Sequence, residues 1–187
     1  EFPDRPYQDA SAAKLAHDFD LVHEQIVRFA GASVWSPPTV IHWAMCPEGL
    51  LPVLAKRGVR VLSGFFLPAG DGWDINYCLD NVRSEYIARH DALKHFDSGI
   101  VFSCVDLVAN NVPVDQVVPT LEPLTRDPRR AEIMDLFTHE QYTWDFYHNY
   151  RPDHPQRIET AVRFCTEQGY APVFFHEGFL GGKAWGR

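Results

Sequence analysis

The stretch MDLFTHEQY, residues 134–142, ends an apolar run abruptly in Thr138, His139 and Glu140. Taken with its upstream neighbours, EIMDLFTH has the length and apolar content of a strand, and the elements on either side of it decide whether that strand is parallel or antiparallel. PDHPQRIETAVRFCTEQGY has a helical spacing, with Ile158, Val162 and Cys165 expected on one face and Gly169 at its end. APVFF then reads as a last strand. Upstream lie VDQVVPTLEPL, a helix made irregular by Pro119 and Pro123, and GIVFSCVDLV, a strand. Strands alternating with helices mean βαβ units and a mainly parallel sheet.

The N-terminal half continues the alternation. Residues 9–31 read as a helix, with Asp9 or Ser11 as cap and Gly31 at its C-terminal end. Leu15, Phe19, Val22, Ile26 and Phe29 fall at three- and four-residue steps and make one apolar stripe. SPPTVIHW is a loop leading into a short β-rich run. PEGLLPVLAKRG is a helix with Pro47 in its first turn and Gly58 as its stop, and VRVLSGFF is a strand. Residues 67–98 are the least regular part. LPAGDGWD is a turn cluster, and LDNVRSEYIARHDALKHF fits either a helix or a decorated loop. Residues 67–98 are longer than a usual connection, so they are expected to line a cleft. The whole chain, 1–187, is expected to be one domain.

Composition narrows the function classes. Of the 187 residues, 45% are hydrophobic and 22% charged, which is ordinary for a soluble globular protein. The formal charge of −8, with no basic run, argues against nucleic acid as a partner, because nothing offsets phosphate repulsion. No apolar stretch reaches bilayer length, and no signal peptide is visible, so a cytoplasmic location is expected. Cys46, Cys78, Cys104 and Cys165 show neither zinc-like nor disulfide-framework spacing and read as buried or incidental thiols.

In parallel α/β folds chemistry collects at the carboxyl ends of strands. Here those ends carry His42 and Trp43, Asp106, His139 with Glu140, and His176 with Glu177. Aromatic residues come after them, including Tyr142 and Trp144. Ring faces beside carboxylates and imidazoles suit a sugar, whose C–H faces stack while its hydroxyls meet polar groups. The competing reading makes each an ordinary loop or half-buried residue. His42 and His139 are expected to face one cleft.

The segment LFTHEQYTWDFYHNYRPDHPQRIETAVRFCTEQGYAPVFF resembles the late part of the polysaccharide deacetylase (NodB-like) barrels, in which a strand ends in a Leu-x-His motif before a loop, a helix and a Gly-Tyr strand. The segment AHDFDLVHEQIVRFAGASVWSPPTVIHWAMCPEGLLPVLAKRGVRVLSGFF resembles their middle part, except that HWAMCPEG stands where the family has Arg-Pro-Pro-Tyr. The resemblance implies an α/β barrel of mainly parallel strands, incomplete by one or two strands at the N-terminus. It implies a hydrolase that deacetylates a glycan, its partner a carbohydrate or other small polar substrate, with His139 as general acid. His42 and Glu140 are further catalytic candidates. Trp43, Asp91, Tyr142 and Trp144 are substrate-binding candidates. The family's zinc ligands, an Asp and an H-x3-H pair, have no counterpart in residues 1–10, so no metal site is expected from this chain. Zinc enters only with ligands from elsewhere. The alternative is a barrel that binds a glycan or a partner without turnover.

Overall fold

The computed structural model describes residues 5–175. The protein is a mixed α/β chain in two compact units. Of the described residues, the first unit holds 5–88, 92–103 and 174–175, and the second holds 89–91 and 104–173.

The first unit opens with α1 (Ala12–Ala30). Ser11 caps it by accepting the Lys14 N–H at 3.2 Å, and Gly31, at φ +90°, ends it. The apolar stripe forms but only its start is core: Leu15 is 3% exposed while Phe29 is 93% exposed. The VIHW run is not a strand. His42–Ala44 is a 3-10 turn, with Trp43 and Ala44 at φ of 61° and 47°. Burial explains the difference. The turn sends Ile41, Ala44, Met45 and Cys46 inward, which strict strand alternation does not allow. The Ala44 carbonyl accepts the Tyr77 N–H at 2.7 Å and ties the unusual backbone down.

A short α2 (Leu51–Ala55) buries Leu51 and Leu54. It leads to β1 (Val61–Gly64), which is buried throughout. Gly64 is required there: a Cβ would sit 3.0 Å from the Phe66 ring and 3.1 Å from the Tyr77 ring. The least regular segment, 67–98, holds short regular elements joined by a stretch with Ile75, Tyr77 and Cys78 at positive φ. LPAGDGWD makes a hairpin of β2 (Leu67–Ala69) and β3 (Gly72–Asp74), with Gly70 at φ +59° in the turn. It continues into α3 (Asn81–Ala88) and β4 (Ala92–Lys94). β4 pairs antiparallel with β5 (Val101–Cys104), and β5 lies between β1 and β4 in a three-stranded sheet. Phe102 packs at this sheet's centre against Phe66 and Tyr77, with ring centroids at 6.4 and 5.2 Å. His95, after β4, is buried and hydrogen-bonds Glu48, which also takes a two-pronged contact from Arg83.

The second unit is built on a parallel pair, β6 (Leu107–Val108) and β7 (Leu136–Phe137). α4 (Val114–Leu121) and α5 (His154–Glu167) pack beside it. Their core is Leu107, Ala109, Val117, Leu121, Ala161, Phe164 and Cys165. The buried stripe of α5 runs through His154, Arg157, Ala161, Phe164 and Cys165, while Val162 is half exposed. Reading only apolar residues rotates the face, because a histidine and an arginine open the true stripe. EIMDLFTH contributes only two residues of strand, and residues 171–174 form none.

The described strands form one three-stranded and two two-stranded sheets, with β2–β3 and β4–β5 antiparallel and β6–β7 parallel. Among the described residues the strands do not close into a barrel. Burial pushes the thiols of Cys46 and Cys104 up to about 12 and about 11, and among the described residues all four cysteines are free. Among the described residues no helix is long and apolar enough to cross a membrane.

Candidate functional site

Parallel pairing places the carboxyl ends of β6 and β7 at one edge. Val108 is opposite Phe137, and the Ala109 N–H donates to the Phe137 carbonyl at 2.8 Å. Two residues farther along each strand stand Asn110 and His139, side by side. The His139 backbone N–H donates to Asn110 Oδ1 at 3.2 Å, and His139 Nδ1 lies 3.0 Å from the same oxygen.

That arrangement assigns the imidazole proton. A backbone N–H can only donate, so the Asn110 side chain must present its oxygen, and the other end of the amide donates to Asn111 Oδ1 at 2.8 Å. Nδ1 therefore carries a proton and donates it to Oδ1. Nε2 is left as the atom that exchanges protons, and among the described residues none hydrogen-bonds to it. Burial holds the His139 pKa below its usual 6.5, with the Glu140 charge pulling the other way and His154 adding to the lowering.

α5 supports the pair from behind. Arg157 Nη1 donates to the Asn110 carbonyl at 3.1 Å and is itself paired with Asp153 at 2.9 Å. His154, with no exposed surface, has Nε2 3.0 Å from the Thr138 hydroxyl. Burial first, then the Arg157 charge, hold the His154 pKa low, against Asp153 and the His139 backbone. Phe137 packs edge-on against the His139 ring at 4.8 Å, and Tyr142 lies 6.1 Å from both imidazoles. A half-buried histidine fixed on three sides, with one nitrogen open, can take up and hand on a proton.

Of the sequence candidates, His139, Glu140, Tyr142 and Trp144 fall on this one loop. Glu140 is exposed and opens a 3-10 turn, Glu140–Thr143. Trp144 is exposed, with its ring near-parallel to that of Phe146.

His42 and Trp43 belong to the first unit, so neither unit by itself holds both His42 and His139. Both are exposed there. The rings of His42 and Trp43 stack at 6.4 Å, and the Arg5 guanidinium lies over Trp43 at 5.7 Å. His42 also borders a cavity of about 260 Å³ lined mainly by apolar groups, among them Leu15, Phe19 and Trp35.

Asp91 is buried in the second unit, where one carboxylate oxygen accepts the N–H groups of Glu132 and Ile133 at 2.9 and 3.0 Å. Its observed work is to hold the chain before β7. Asp106 is likewise internal, with a side chain only 1% exposed; it pairs with Arg130 and accepts the Asp135 N–H at 2.8 Å. Burial pushes its carboxyl up to about 7 against the pull of Arg130. His176 and Glu177 lie outside the described residues.

Asn110, His154 and Arg157 escaped the sequence reading. The only signal for Asn110 is its place just past an apolar run, the same place His139 has. Among the described residues no three His, Cys, Asp or Glu side chains converge to hold a metal ion, so the described residues do not fit the zinc that the resemblance implies.

Comparisons of the chain with protein-family models, curated proteins and solved structures find no match.

Proposed function

We propose that the second unit carries a hydrolytic site that removes acyl groups from a carbohydrate, with the His139 imidazole moving the proton, and that the chain is a divergent NodB-like deacetylase. The observation that carries this reading is the contact between Asn110 Oδ1 and His139 Nδ1, which leaves Nε2 as the exchanging atom at the carboxyl edge of a parallel pair. The barrel belongs to the proposal too. A parallel pair with helices packed beside it is the unit from which such a barrel is built.

Hydrolysis of an amide or ester needs a proton removed from water and a proton given to the leaving group. The low pKa keeps the ring neutral near pH 7. As the water oxygen bonds to the acyl carbon, Nε2 takes the proton. As the C–N or C–O bond breaks, the same proton passes to the leaving nitrogen or oxygen. The ring ends neutral, and the products are the free acid and the amine or alcohol. Asn110 accepts from Nδ1 throughout and stabilises the cation that forms between the two transfers. Glu140 adds a stabilising negative charge.

Acetate release from acetylated xylan, from N-acetylated chitin oligomers and from a chromogenic acetyl ester tests the reading. His139→Ala is expected to lose about 100- to 10,000-fold in rate. Equal rates in both proteins, or no release from any substrate, would remove the hydrolase and leave the second reading. That reading is a glycan- or partner-binding unit without turnover, and it is favoured by the exposed Trp144, Phe146 and Tyr150.

A further inference from the structure

The loop after His139 holds an arrangement that proton transfer does not use. Successive turns fold it: the Trp144 N–H donates to Gln141 O, Tyr147 to Trp144, and Tyr150 to Tyr147, at 3.2, 3.0 and 2.9 Å. The Arg151 N–H returns to the Tyr142 carbonyl at 2.9 Å and closes the loop on itself. Tyr142 and Tyr147 pack edge-on at 5.5 Å, and Tyr142 faces the imidazoles of His139 and His154. Trp144 and Phe146 form a separate set. Their rings are 6.0 Å apart and within 17° of parallel, and they are 52% and 82% exposed. Asp145, His148 and Asn149 are exposed on the same loop, with Asn149 donating to His148 Nε2 at 2.9 Å.

Two large rings held open to water by a backbone that is already hydrogen-bonded are pre-organised for a flat, partly apolar ligand. Polar groups beside them select a ligand that also carries hydroxyls. A pyranose has both. The five steps from His139 to Trp144 pass through a 3-10 turn, a path on the order of 10 Å at about 2 Å per residue. A subsite on these rings suits a sugar unit next to the one whose acyl group meets Nε2.

We propose that the near-parallel rings of Trp144 and Phe146, flanked by Asp145 and Asn149, form a stacking subsite for a neighbouring pyranose unit of a glycan. This rests on the carbohydrate reading above, but its test does not require turnover.

Native affinity electrophoresis through gels containing xylan, β-glucan, mannan or glycol chitin measures binding directly. The wild-type protein is expected to be retarded by at least one of these. Trp144→Ala with Phe146→Ala is expected to weaken that retardation about tenfold or more. Trp144→Tyr keeps a ring and should retain most of it, and His139→Ala should retain all of it. Both rings are exposed, so the variants should keep the wild-type circular dichroism spectrum and melting temperature. Retardation with no acetate release sinks the hydrolase and keeps the subsite. Acetate release with equal retardation of the wild type and the double alanine variant, or with no retardation by any polymer, sinks the subsite and keeps the hydrolase.

Discussion

Asn110 Oδ1 receives two donors from one residue, the backbone N–H and the ring Nδ1 of His139, at 3.2 and 3.0 Å. The double contact fixes both the tautomer and the orientation of the ring. A carboxylate in the same place would add a negative charge beside the imidazole and favour its cationic form. Asn110→Asp is therefore expected to move the His139 pKa from below 6.5 to above it, and Asn110→Ala to leave it low while loosening the tautomer. Nitrogen-15 shifts of the ring across a pH titration read both effects. An unchanged midpoint in Asn110→Asp would mean that the contact is not made in solution.

The buried histidines make stability depend on pH in a stated direction. His139 and His154 both have folded pKa values below the usual 6.5. Below that value the unfolded chain binds protons that the folded chain refuses, so stability rises with pH across this range and is lost as pH falls through 6.5. Asp106 acts oppositely. Its folded pKa is raised to about 7, so its contribution is fully present below the usual carboxylate range and is lost as pH rises toward 7. Melting temperatures of wild type and His154→Asn between pH 5 and 8 separate the two. The gap between the proteins should narrow as pH falls, and a constant gap would show that His154 does not refuse its proton.

Arg130 and Asp106 form a buried ion pair inside the second unit, with side chains 12% and 1% exposed. Arg130→Met leaves Asp106 without its guanidinium and should cost about 3–5 kcal/mol. Pairing it with Asp106→Asn should recover much of that loss, since the buried charge is then gone. Urea unfolding of the single and double variants measures both, and a double variant no more stable than Arg130→Met would contradict the account.

The apolar stripe of α1 divides into core and surface. Leu15 is 3% exposed and Phe29 is 93% exposed. Leu15→Ala should cost about 2–5 kcal/mol, whereas Phe29→Ser should stay within about 0.5 kcal/mol of wild type. Chemical denaturation of the two variants checks the contrast. A large loss in Phe29→Ser would mean that this face is covered in solution.

Local chemistry in the sequence determined α1 with its Ser11 cap and Gly31 stop, the helix after Asp153 ending at Gly169, and the place of His139 just past a short strand. Caps, glycine stops and helical spacing act within a few residues, so they are readable along the chain. Tertiary packing decided the rest. The VIHW run became a turn because four of its neighbourhood's side chains had to face inward, and Tyr77 secured it from more than thirty residues away in sequence. Residues 92–94 became a strand because they found a partner in β5. The α5 face turned because His154 and Arg157 had hydrogen-bond partners on Thr138 and Asn110 and so could be buried beside apolar residues. Asn110 joined His139 through parallel register alone, a relation between two strands 29 residues apart that neither segment carries in its own composition.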